Sequence, residues 1–147
     1  MTRTRLLVVD DDDSVAKLIS RIAEKLDFHT ETANGFNSAA VCESFLPDVI
    51  VLDICMPDID GFEVMHHLAE YNSKVAIVIL SAQPASLIHM AEDMGKELGL
   101  RIVDTVSKPF TMSGLEDVLR RVHQVVGISK PQPVNFIKWL AHGSIPS

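Results

Sequence analysis

The chain is short of basic charge, short of cysteine and free of long apolar runs, and each shortage removes a class of function. Its 13 lysines and arginines stand against 20 aspartates and glutamates, a formal net charge of −7. Basic residues gather only at Arg120-Arg121 and in the Thr2–Arg5 start. That balance argues against a general nucleic-acid surface. The two cysteines, Cys42 and Cys55, show no metal-site spacing and read as reduced thiols of a cytoplasmic protein. No apolar run approaches a membrane span; Val75–Leu80 is far too short. The start MTRTRLLVVDD passes straight into a strand, so no signal peptide is expected. There is no low-complexity tract.

What remains is an ordinary globular composition, 147 residues with 47% hydrophobic and 22% charged side chains. That is enough for one domain with a sizeable core. Strands are predicted at 5–9, 29–33, 49–52, 75–80 and 101–106. The continuous apolar run at 49–52 suits a strand covered on both faces. Between the strands the apolar period is helical. The first helix begins near Asp13 or Ser14, either of which could cap it. It then repeats Val15, Leu18, Ile19, Ile22 and Leu26. A second covers about 37–45 and stops before Pro47. A third covers 62–71, and a fourth runs from Pro84 to about Leu98. The fourth keeps Leu87, Met90, Ala91, Met94 and Leu98 on one face. The fifth carries Met112, Leu115, Val118, Leu119, Val122 and Val126, and Gly127 ends it. Five βα units in alternation predict a parallel sheet with helices on both faces.

Four of the five apolar segments end in a residue suited to phosphoryl chemistry. Leu6–Val9 runs into Asp10-Asp11, Val49–Leu52 into Asp53, Val75–Leu80 into Ser81, and Ile102–Val106 into Ser107-Lys108-Pro109-Phe110. Only the segment around His29–Ala33 lacks such an end, with Asn34-Gly35 breaking it. Ligands of parallel sheets bind beyond the carboxyl ends of the strands. Three carboxylates, a hydroxyl and an ammonium would therefore share one rim. Carboxylates suit a hard cation such as Mg²⁺. Cation, lysine and hydroxyl together suit a phosphoryl group.

The stretches LLVVDDDDSV, VIVLDICMPDIDGFEV, IVILSA and VSKPF stand in one order, each closing an apolar run. Over residues 4–126 the chain resembles the receiver domains of bacterial two-component response regulators, of the chemotaxis-regulator-like kind. The resemblance implies a flavodoxin-like (βα)5 three-layer α/β sandwich with strand order 2-1-3-4-5. It implies a receiver domain at 1–127. Residues 128–147 follow as a linker and tail, either a short helix or the start of a truncated downstream region. It makes Asp53 the phosphoacceptor, and makes Asp10, Asp11, Asp53 and the Cys55 backbone carbonyl the Mg²⁺ site. In that site Asp11 ligates directly and Asp10 acts through a water. Lys108 pairs with the phosphoryl oxygens and Ser81 donates its hydroxyl to them. Ala82 is the small residue beside the site, Pro57 and Gly61 shape the loop after Asp53, and the Lys108–Pro109 bond is cis. Without the resemblance these residues have plainer readings. Asp53 would start a turn, Lys108 would be an exposed turn lysine, Ser81 would be a small strand end, and Cys55 would be a soft filler. The six histidines read as surface or core-edge residues.

Two features depart from the family pattern. Thr105 stands where a receiver usually carries its switch aromatic. The stretch between Ser81 and Lys108 is also longer than usual by about one and a half helical turns. The segment AEDMGKELGLRIVDTVSKP is similar to receivers that precede EAL-type cyclic-di-GMP phosphodiesterase domains. The implied function is a phosphoacceptor switch, not an enzyme beyond its own phosphotransfer and autodephosphorylation. It would be served by a histidine kinase or phosphotransfer protein and read by a downstream effector protein or domain. Homodimerisation, with the tail as a dimerisation element, stays open. No membrane and no nucleic acid is expected for this domain. The alternatives are a non-phosphorylated receiver-like binding module, a fragment of a phosphodiesterase regulator, and a phosphatase or phosphotransferase using the Asp10–Asp13 run, which would leave Asp53 and KPF unexplained.

Overall fold

A computed structural model describes residues 3–54, 61–71, 74–82 and 85–129. In chain order the elements are β1 (Thr4–Val9), α1 (Asp13–Lys25), β2 (Phe28–Ala33), α2 (Ser38–Phe45), β3 (Val49–Asp53), α3 (Gly61–Tyr71), β4 (Ala76–Ser81), α4 (Ala85–Leu98), β5 (Arg101–Ser107) and α5 (Met112–Ser129). The sheet is parallel throughout, in the order β2-β1-β3-β4-β5. This is the expected flavodoxin-like fold.

The three central strands are apolar without alternation because helices cover both faces. Successive side chains go to opposite faces. Leu6, Val8, Val49, Val51 and Val78 pack with Ile19 and Ile22 of α1 and with Leu115 and Leu119 of α5. Leu7, Val9, Ile50, Leu52 and Ile77 pack with Phe45 of α2, Met65 and Leu68 of α3 and Ala91 of α4. Two apolar layers thus hold β1 and β3 in the middle, and with them the strand ends that carry Asp10 and Asp53.

The helix faces are rotated slightly from the predicted ones. Ala16 and Ala23 are buried on α1, whereas Leu18 is exposed. Met90 on α4 and Met112 on α5 are also exposed. The cap of α1 is neither Asp13 nor Ser14. Asp12 accepts from the Ser14 and Val15 amides, while Asp13 pairs with Lys17 on the surface. Gly127 does not end α5, which runs on to Ser129. A glycine stops a helix when it adopts the left-handed conformation, as Gly99 does after α4 with φ 74°. Residues 130–147, including the predicted tail, lie outside the described residues.

Part of the extra length before Lys108 lies in the 14 residues of α4. Another part is a bulge in β5, where Ile77 faces Ile102 but Val78 faces Asp104. Val103 is the extra residue. It packs toward the α1/α5 layer, and Asp104 beside it accepts from Arg121 of α5 at 3.0 Å. Both therefore point the same way, as a bulge requires.

Candidate functional site

The carboxyl ends of β1, β3, β4 and β5 meet at one rim. Lys108 Nζ lies 2.9 Å from Asp10 Oδ2 and 3.3 Å from Asp53 Oδ2. Asp10 and Asp53 are buried, at 4% and 5% exposure. Ser81 is fully buried at the end of β4, opposite Ser107. The Ser81 carbonyl accepts the Lys108 amide at 2.8 Å. That bond fixes where the lysine leaves the sheet. The Lys108–Pro109 peptide is cis, as expected. Asp10 Oδ1 also accepts the Asp12 amide at 2.9 Å, which turns the chain toward α1.

Burial works against the charge on Lys108, but the hydrogen bond it donates to Asp10 and the field of Asp53 outweigh it. The ammonium's pKa is raised above its ordinary 10.5. A raised cation pKa gives stability that is complete below the unfolded value and is lost as pH climbs through the folded one. The lysine therefore stays charged across the neutral range, and its contribution fades only in alkali. By contrast, burial pushes the Cys42 thiol up to about 11, with Glu43 adding to it. That sulfur is a protonated core filler.

One ammonium does not balance the acids. Asp11 Oδ1 accepts the Gly35 amide at 2.9 Å. Its other oxygen, Oδ2, is buried and has no hydrogen-bond partner among the described residues. An orphaned carboxylate oxygen on the residue after buried Asp10 is a surplus of negative charge that fits a hard divalent cation. Among the described residues no three His, Cys, Asp or Glu side chains form a metal cluster by themselves. A cation here would need a ligand of another kind, and the predicted Cys55 carbonyl is of that kind. Cys55 and Pro57 lie outside the described residues.

Gly61, expected to shape the loop after Asp53, opens α3. The observed constraint is a close approach. A Cβ there would stand 2.4 Å from Ile54 Cα and 2.9 Å from the Asp53 carbonyl oxygen. Backbone atoms cannot swing aside as a side chain can. Gly61→Ala is expected to destabilise the fold by about 3 kcal/mol, read as a lower urea midpoint. An unchanged midpoint would mean that α3 shifts freely against the Asp53 strand.

Ala82 follows Ser81 on the same rim. Thr105 sits in β5 opposite Ile79, half-buried. No aromatic ring occupies its position. The contact that sequence reasoning missed is the one from Gly35 to Asp11. Asn34-Gly35 had looked only like a strand breaker.

Fold and rim together define a doubly wound α/β domain with an acid–lysine centre at its strand ends. The chain matches the response regulator receiver domain over residues 6–120 and belongs to that family. It is 32% identical to "Response regulator MprA" of Mycobacterium avium, over 87% of this chain and 53% of the relative. It is 31% identical to "Probable transcriptional regulatory protein TcrX" of Mycobacterium tuberculosis, over 82% and 49%. The chain thus spans about half the length of these relatives. A CheY-like receiver domain structure from Methanospirillum hungatei superposes with a TM-score of 0.75 at 17% identity, covering 88% of this chain and 100% of that one. That likeness speaks for the fold alone. As a receiver domain of response regulators, the chain is a phosphoacceptor switch of two-component signalling. Among the described residues no helix is long and apolar enough to cross a membrane.

Proposed function

We propose that Asp53 takes a phosphoryl group from the phosphohistidine of a histidine kinase or phosphotransfer protein. The observation that carries this reading is Lys108 Nζ held between Asp10 and Asp53. One Asp53 oxygen attacks phosphorus, and the new P–O bond forms as the donor's P–N bond breaks. The leaving imidazole keeps that electron pair and takes up a proton. Lys108 then follows the growing negative charge from the carboxylates to the phosphoryl oxygens. Ser81 donates its hydroxyl to one of those oxygens. Ala82 leaves room for them, and Pro109 and Gly61 hold the flanking backbone.

Asp10, Asp11, Asp53 and the Cys55 carbonyl would hold Mg²⁺. When bound, the cation offsets repulsion among the carboxylates and the incoming phosphoryl charge. Asp11 supplies its open oxygen to that site, and Asp10 keeps Lys108 near until transfer. The resulting acyl phosphate biases a two-state equilibrium read by a downstream effector, by another domain of a longer chain, or by a second copy. Thr105 in the aromatic's place leaves the route of that readout to other side chains of the α4, β5 and α5 side.

The test is intact mass after incubation with a small phosphodonor. A single phosphoryl adduct is expected with Mg²⁺, lost on chelation, and mapped to the peptide that contains Asp53. An unmodified mass, where a control receiver is labelled, would favour a binding module that works without phosphate.

A further inference from the structure

The end of β2 carries no nucleophile and no ionisable group, yet it is bonded to both members of the acidic pair. The Ala33 carbonyl accepts the Asp10 amide at 3.1 Å, and the Gly35 amide donates to Asp11 Oδ1 at 2.9 Å. Gly35 is held in turn. The buried hydroxyl of Ser38 donates to its carbonyl at 3.1 Å. On either side of it, the Asn34 amide donates to Asn37 Oδ1 at 2.8 Å and the Asn37 amide donates to Asn34 Oδ1 at 3.0 Å. Asn37 is also the N-cap residue of α2, and there its side chain makes no capping bond. Asparagine is among the best N-cap residues, and a cap is worth about 1 kcal/mol. At this position the side chain closes the loop instead.

The geometry points to the Asn34–Asn37 clasp as a positioning device for divalent-cation binding at Asp11. This rests on the cation reading given above. A carboxylate has two oxygens, and the Gly35 amide fixes one of them. The other, Oδ2, is left buried and without a partner among the described residues. A ligand already held in one orientation loses less freedom when the cation arrives. Outer groups that hold a ligand in this way typically change metal affinity by about 10-fold or more. The clasp keeps the Gly35 N–H aimed, and Ser38 keeps the peptide from turning. Coupling is reciprocal, so an occupied site tightens the loop. Phe36, 70% exposed at its tip, lies within that loop. The strand end without chemistry of its own thereby sets the chemistry of its neighbour.

The experiment is a Mn²⁺ titration, with free Mn²⁺ followed by electron paramagnetic resonance. It compares the full chain with Asp11→Asn, Asn37→Ala and Asn37→Ser, alongside thermal unfolding of each metal-free protein. Asn37→Ala is expected to bind about 10-fold more weakly. Asn37→Ser, whose hydroxyl can accept the Asn34 amide without adding charge, is expected to recover most of that loss. A role in folding alone would lower the unfolding temperature and leave the affinity of the folded protein unchanged. Weaker binding by Asp11→Asn with unaltered Asn37→Ala overturns the clasp and keeps the cation site. Unaltered Asp11→Asn removes the cation reading itself. A second measurement uses only the wild-type chain: the Gly35 amide resonance is expected to shift along the same binding curve as the cation. A stationary Gly35 amide would also overturn the proposal, even if Asn37→Ala failed to fold.

Discussion

Asp53→Asn is expected to abolish the phosphoryl adduct and at the same time to make the metal-free protein more stable. The two effects share one cause. Asp10 and Asp53 are both nearly inaccessible, Asp11 adds a buried oxygen, and Lys108 supplies an ammonium that bridges the first two. Like charges that close together raise the free energy of the folded state. An amide at 53 keeps the shape and removes one charge, a relief of about 1 kcal/mol. It also removes the nucleophile, because a neutral amide oxygen does not form the acyl phosphate. Urea unfolding in chelator would show the midpoint rise. Added Mg²⁺ should stabilise the wild type more than the variant, since only the wild type has the full set of acids for the cation to bind. A variant less stable than the wild type in chelator would mean that Lys108 already neutralises the pair.

Lys108→Ala should move stability the other way and remove function as well. Without the ammonium, Asp10 and Asp53 lose the cation that bridges them. Removing one partner of a buried ion pair typically costs about 3 kcal/mol or more, and the partly accessible lysine side chain places this case at the low end. The loss should shrink when Mg²⁺ is added, because another positive charge then meets the acids. Phosphotransfer from a small donor should slow by roughly 100-fold, the usual size of effect for one lost charge-stabilising donor. Stopped-flow or mass-resolved labelling would measure it. A variant that labels at the wild-type rate would confine Lys108 to holding the resting site.

Most of the site could be read from the sequence because each reactive residue closes an apolar run. A strand buried on both faces must end where polar residues begin, and in a parallel sheet those ends share a rim. Asp10, Asp53, Ser81 and Lys108 follow from that rule. Strand order did not follow from pattern and came from the resemblance. The cap of α1 was missed because four consecutive aspartates and a serine all suit the position. What selects Asp12 is the turn imposed when its own amide bonds to Asp10. The end of α5 was missed because glycine permits a helix stop without requiring it. The clasp was missed because hydrogen bonds from loop amides leave no periodic trace. The β5 bulge was hidden for a similar reason: one extra residue in a short strand looks the same as a longer helix before it.

That bulge bears on how copies of the molecule meet. β5 is an outer strand of the sheet, and its far edge is the kind of surface on which a passing chain could add a strand. Val103 breaks the regular spacing of that edge. Asp104 beside it is turned toward Arg121, so the break is tied to α5 by an ion pair. A regular partner strand would find its ladder interrupted there. Growth of sheets from molecule to molecule is discouraged on this side, because a strand added to β5 would lose its regular ladder at the bulge.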